Sequence, residues 1–211
     1  PDLVPSKDAN GMFDGVVIGS GNRANPLDKG GMTVNFTFML KDRHTAPGSG
    51  VDENIQLLQL GDVTSNCLQS DSPCSVDLSK GWRLMLEEPG EKVLATPLTM
   101  VGRTFFTTYL PQSGGGATAC APSEGAGRLY AVGLQDARSV INYDTSDDDP
   151  NNPDEATTKN DRSMELSSLG IPAEVVSVPP NKILRPDLQI DNIDATTRWR
   201  TFWYLAEDED L

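Results

Sequence analysis

His44 is the only histidine in this 211-residue sequence, so it is the only side chain that ordinarily exchanges a proton near neutral pH. It follows an apolar run and opens into the polar stretch KDRHTAPGSG, which reads as a surface loop. General base catalysis would need a nucleophile within hydrogen-bond reach of it. Ser20 and Ser49 each stand between glycines, but neither sits in the G-x-S-x-G pattern of a nucleophile elbow. Gly114-Gly115-Gly116 lacks the lysine and helix start of a phosphate loop. Carboxylates are abundant, yet the sequence sets no pair apart in contrasting surroundings. The expectation is a protein that is not an enzyme.

Cysteine and oxygen ligands are the next candidates. Cys67 and Cys74 lie in the polar stretch SNCLQSDSPCSVD, and Cys120 follows a Gly/Ser-rich run over 113–119. No C-x-x-C pairing occurs, which disfavours zinc. In an oxidising compartment a Cys67–Cys74 bridge would close a small loop, leaving Cys120 over. A bridge from Cys120 to either of them, or three free thiols, are the alternatives. Asp147, Asp149 and Asn151 alternate as in the first half of a calcium loop, and Asp154 and Glu155 follow. Asn152 and Thr158 stand where an EF-hand has its glycine and its bidentate glutamate, so a solvated acidic loop is preferred to a calcium site. Asp8-Ala9-Asn10-Gly11 with Asp14 is a shorter fragment of the same kind. Trp199, Phe202, Trp203 and Tyr204 cluster with Arg198 and Arg200 in RWRTFWYL. They suit a closing strand covered on both faces or, alternatively, an interface anchor.

The elements that would position these residues are short. Seventeen basic against thirty-one acidic residues give a net charge of −14, which argues against nucleic-acid binding and against contact with an anionic membrane. No apolar run approaches the roughly 18 residues of a membrane span. Apolar runs of about five to eight residues recur: 13–18, 34–40, 54–60, 82–86, 93–100, 104–110, 129–134, 138–143, 174–178 and 201–205. Most are β-branched or aromatic and bounded by Gly, Pro, Asn or Asp, which predicts an all-β fold. The stretch from Glu91 reads strand, turn at Gly102, strand, loop, strand, polar turn near Asp136, strand to Tyr143. Four antiparallel strands in that order form one propeller blade. Gly127 marks a close approach before an inward-facing strand. Residues 144–161 carry seven acidic side chains, one lysine and two prolines, which predicts a mobile loop. The tail 207–211 reads as solvated, and Pro1 in place of an initiator Met suggests a processed or trimmed fragment.

In order along the chain, FDGVVIGSGNR (13–23), NPLD (25–28), FMLKDR (38–43), Gly81-Trp82, GEKVLATPL (90–98) and GRLYA (127–131) are distinctive together. This series resembles the C-terminal propeller domain of the PilY/PilC-type type IV pilus biogenesis and tip-adhesin proteins. The resemblance implies a modified, quinoprotein-like β-propeller. With about three blades and long irregular loops, residues 1–206 would form only part of a ring. It further implies an extracytoplasmic, Gram-negative location at the pilus tip, outer surface or periplasm. The implied roles are pilus assembly, twitching motility and surface adhesion. The implied partners are minor pilins or other pilus subunits, together with whatever completes the propeller. Calcium is the cofactor the resemblance favours. A calcium-stabilised ligand-binding or lectin-like propeller module is the alternative reading, and a quinoprotein enzyme fragment is a third.

Overall fold

The computed structural model describes residues 1–29, 34–44, 55–69, 72–111, 125–148 and 156–193. Among these residues there are thirteen strands, two 3-10 turns and no α-helix. In chain order the strands are β1 (Asp2–Asp8), β2 (Gly11–Gly19), β3 (Phe36–Asp42), β4 (Gly61–Asp62) and β5 (Gly81–Met85). There follow β6 (Lys92–Val93), β7 (Leu98–Met100), β8 (Arg103–Leu110), β9 (Ala126–Gly133), β10 (Ser163–Leu169), β11 (Val176–Val178), β12 (Lys182–Leu184) and β13 (Ile190–Asn192).

They form three sheets. The first runs β1-β2-β3-β5-β4, antiparallel except where β4 joins β5 in parallel. The second runs β10-β9-β8-β6, with β7 also paired to β8. The third is the short antiparallel set β11-β12-β13.

Side-chain alternation along β8 and β9 explains how the sheets meet. Successive residues of a strand point to opposite faces. Phe106, Tyr130 and Val132 of the second sheet share a buried cluster with Phe13, Val17, Met39, Trp82 and Leu84 of the first. Their neighbours Phe105, Leu129 and Ala131 pack on the other side with Ile183, Ile193 and Val175 around the third. The middle sheet is therefore covered on both faces, as a blade between two other blades must be. The architecture is the expected all-β, partial propeller-like fold.

Several elements differ from the sequence expectation. The fourth strand of the middle sheet is β10, not residues 138–143, where only Ser139 makes a bridge, to Val132. Run 54–60 yields the 3-10 turn Leu57–Gln59 ahead of the two-residue β4. Pro97 lies between β6 and β7, dividing run 93–100, because proline lacks the N–H a ladder requires. The edge strand β1, with exposed Pro5, carries too little apolar periodicity to be seen in the sequence. Asp8-Ala9-Asn10-Gly11 is the β1–β2 hairpin turn: Asp8 Oδ1 accepts the Asn10 N–H at 2.9 Å and Gly11 takes φ +117°. The turn at Gly102 is as expected, with Val101 and Gly102 both at positive φ.

Candidate functional site

The seam between the first and second sheets gathers the buried polar groups. Its backbone contact is unusually close. A Cβ on Gly19 would lie 2.2 Å from Val93 Cβ, so β2 and β6 approach at a distance only glycine permits. Trp82, fully buried on β5, donates its indole N–H to the Leu134 carbonyl at 2.8 Å, a bond from the first sheet to the end of β9.

Glu91 enters the same seam just before β6. It is 1% exposed. Its Oε1 accepts the Thr108 hydroxyl at 2.6 Å and the Tyr130 hydroxyl at 3.0 Å, and its backbone carbonyl accepts Asn35 Nδ2 at 2.8 Å. Burial pushes its carboxyl above the usual range, against the pull of the Thr108 hydrogen bond and the Arg128 charge. Burial and the nearby Glu91 charge likewise hold the Tyr130 phenol well above its ordinary value. Tyr130 stacks on Phe106 with ring centres 4.7 Å apart, fixing the hydroxyl over Glu91.

Over this network opens a cleft of about 320 Å³, lined by Glu88, Arg128, Tyr130, Lys159, Arg162 and Glu165 among others. Arg128 Nη2 lies 3.8 Å from Glu88 and 3.7 Å from Glu165, and Lys159 pairs with Glu87 at 2.6 Å. At the cleft floor Arg162 is 3% exposed and donates to four backbone carbonyls of the first sheet's loop: Val63 (2.8 Å), Thr64 (3.5 Å), Asn66 (3.0 Å) and Cys67 (2.9 Å). Burial pushes its guanidinium down to about 10, so it stays charged at neutral pH. Such an arrangement holds two rigid sheets in one orientation and presents a mixed-charge rim.

The sequence candidates are distributed as follows. Cys67 and Cys74 form the expected disulfide. Cys120, the glycine run 114–116 and Ser49 lie outside the described residues, as do Asp149, Asn151, Asp154, Glu155, Trp199, Phe202, Trp203, Tyr204 and the tail 207–211. Asp147 Oδ2 accepts the Thr158 hydroxyl at 3.0 Å. Among the described residues no group of three or more His, Cys, Asp or Glu side chains is placed to hold a metal ion. His44 is exposed, with its backbone N–H donated to Asp42 Oδ1. The Ser20 hydroxyl donates to Asn35 Oδ1 and accepts the Phe36 N–H, so it serves the β2–β3 connection. A Cβ on Gly127 would lie 3.2–3.3 Å from Leu166 and Pro172, the close approach the sequence suggested.

Both ends of the acidic segment are built into the fold. Asp161, 1% exposed, accepts the N–H groups of Tyr143 (3.0 Å), Asp144 (2.9 Å) and Thr158 (2.7 Å).

Three comparisons with known proteins bear on this arrangement. No family model matches the sequence, and no curated protein sequence matches it significantly. A crystal structure of the Pseudomonas aeruginosa PilY1 C-terminal domain superposes with a TM-score of 0.61. The chain has a PilY1-like fold. The superposition covers 92% of this chain and 45% of the PilY1 chain, at 12% identity. Less than half of the PilY1 chain is thus matched, and what is shared at that identity is the fold. None of the described helical turns is long and apolar enough to cross a membrane.

Glu91, Asp161 and Arg162 were not singled out by the sequence. Arg162 meets its carbonyl partners 95 to 99 positions away, so nothing local marks it. For Glu91 there was a faint signal, the charged pair Glu91-Lys92 wedged between Gly90 and the apolar VLA of GEKVLA.

Proposed function

We propose that this chain is a non-enzymatic docking module of an extracytoplasmic, type IV pilus-class assembly, acting in pilus biogenesis and surface attachment. The observation that carries this reading is the PilY1-like fold over 92% of the chain. It agrees with the ordered motif series of the sequence. The Cys67–Cys74 disulfide supports an oxidising compartment. Docking suits a scaffold in which polar and charged groups are spent on holding the fold together, as Glu91 is within the second sheet and Arg162 is between the first two. Minor pilins or other fibre subunits are the partners in this reading, and the exposed sheet edges are where further blades would join. The acidic segment 144–161 is then a connection anchored at both ends by Asp161 rather than a calcium loop. A calcium-dependent rise in Tm would reverse that assignment.

The test is recovery of the tagged chain from the native cell envelope, followed by mass spectrometry of what accompanies it. Enrichment of pilin-type subunits is expected, together with loss of surface fibres or twitching on deletion. Recovery in a reducing compartment with no fibre component, or a bound quinone seen by its absorbance, would overturn the proposal.

A further inference from the structure

We infer that the 3-10 turn Asn160–Arg162 couples the Cys67–Cys74 disulfide to the neck of the acidic segment, so that reducing the bridge loosens both loops together. Adjacent residues of one turn hold the two loops. Arg162 binds the carbonyls of Val63, Thr64, Asn66 and Cys67, the stretch that leads into the bridge. Asp161 binds the amides of Tyr143, Asp144 and Thr158, where the acidic segment leaves and re-enters the fold. The loops are also neighbours in space: Leu68, Gln69 and Ser72 face Asp147, Thr158 and Lys159 across one crevice of about 320 Å³. Arg138 Nη2 donates to the Ser72 carbonyl, pinning the disulfide loop from the β9 side as well.

The bridge and the arginine depend on each other for a physical reason. Cys67 sits at φ +54°, a conformation that a non-glycine residue keeps only when its surroundings impose it. With the covalent tie removed, Cys67 is free to return to negative φ, which swings its own carbonyl and that of Asn66 away from Arg162 Nη2. The guanidinium of a residue only 3% exposed does not remain in place once half its acceptors leave, because an unpaired buried charge is costly. Arg162 then moves, and Asp161 moves with it as its immediate neighbour. Reduction takes a thiol reductant, either a dithiol or two equivalents of glutathione. Its thiolate attacks Cys74 Sγ, since Cys74 is half-buried whereas Cys67 is 6% exposed. The S–S bond breaks and the second thiol resolves the mixed disulfide. Two electrons and two protons pass to Cys67 and Cys74, and the reductant becomes its own disulfide, cyclic for a dithiol and oxidised glutathione for two glutathiones. Coupling of this kind is reciprocal: whatever weakens the Arg162 contacts must make the bridge easier to reduce by the same factor. Taken with the extracytoplasmic reading above, on which this one consequence rests, the loop face is slack before export and set afterwards by oxidation.

Amide hydrogen exchange on the full chain, oxidised and dithiol-reduced, tests the coupling. Reduction is expected to speed exchange at Tyr143, Asp144 and Thr158 at least tenfold while Phe105, Phe106 and Leu129 in β8 and β9 stay protected. Arg162→Lys keeps the charge but loses the fork, and should lower the glutathione equilibrium constant for the bridge at least tenfold. Unchanged exchange at the three amides on reduction, with Asp161→Asn accelerating them, overturns the inference. Should reduced protein or Arg162→Lys unfold outright, Asp161→Asn in the oxidised protein supplies the second reading. With β8 and β9 still protected, it should shift the glutathione equilibrium about threefold or more, and no shift overturns the coupling. None of these measurements depends on where the protein resides, so a failed localisation and a failed coupling are told apart.

Discussion

The two faces of the middle sheet solve the same packing problem differently. Toward the first sheet, the apolar cluster around Phe106 and Trp82 is crossed by buried polar links: Asn35 Nδ2 on the Glu91 carbonyl, Arg162 on the Val63 carbonyl and the Trp82 indole on the Leu134 carbonyl. Toward the third sheet, Phe105, Leu129 and Ala131 meet Ile183, Ile193 and Val175, with links such as the Thr107 hydroxyl on the Ala173 carbonyl at 3.0 Å. Opening the first seam strands buried donors and charges, each costing about 1–3 kcal/mol or more. Opening the second exposes chiefly apolar surface, and the strands it releases are only three residues long. The first seam therefore sets orientation, and the third sheet is the part that loosens first.

Trp82→Ala should have the largest effect. It removes the biggest fully buried side chain among the described residues and leaves the Leu134 carbonyl without its donor. A loss of about 3–5 kcal/mol is expected, read as a drop in the denaturant midpoint of the whole chain. Ile183→Ala, fully buried at the centre of the third sheet, should cost about 2–4 kcal/mol and act locally. Exchange should then rise at β11–β13 while β8 and β9 stay protected. A uniform rise across all three sheets would mean the two seams are one cooperative unit.

Asp8 offers a smaller effect at the margin of the first sheet. Its Oδ2 meets Arg43 at 2.6 Å and Lys41 at 2.9 Å, and both cations lie over the Phe13 ring. The Arg43 hydrogen bond, with Lys41, holds the carboxyl well below its usual range. A depressed folded value means the stabilisation is present above the ordinary 3.8 and is lost as pH falls below it. Asp8→Asn should cost about 1 kcal/mol at pH 7, and the gap to wild type should close on acidification.

The unequal seams also explain what could be read in the sequence. Period-2 apolar runs announced β2, β3, β5, β8 and β9, because those strands bury side chains in a continuous core. The cysteine spacing suggested the bridge that forms. β1, β4, β10, β12 and β13 lie outside those runs, since edge and short strands need few apolar residues once a neighbour supplies the ladder. The composition of residues 138–143 predicts a strand, yet Val140, Ile141 and Tyr143 serve as packing around the second core cluster. Asp161 looked like one more solvated acid of its segment. Its burial depends on amides that the chain brings back 3 to 18 positions away, which composition cannot show.

Glu91 gives the finest probe of the first seam. Its folded value is raised by burial, so between the ordinary 4.5 and that raised value the folded chain holds a proton the unfolded chain has released. Stability therefore falls as pH rises through this window, and below 4.5 both states are protonated and nothing is lost. The groups facing the carboxyl are Thr108 on β8 and Tyr130 and Arg128 on β9. Tyr130 does not titrate in this window, since its phenol is pushed upward, and Arg128 stays charged. Asp191, also raised by burial, adds the same slope to both proteins, so the difference between them belongs to Glu91. Glu91→Gln keeps an acceptor for both hydroxyls but cannot ionise. Its denaturant midpoint should match wild type near pH 4 and exceed it at pH 7. Parallel pH profiles for the two proteins would show that Glu91 is ionised and fully satisfied in the seam, which would turn the first interface from one that tolerates a buried acid into one built around an ion pair with Arg128.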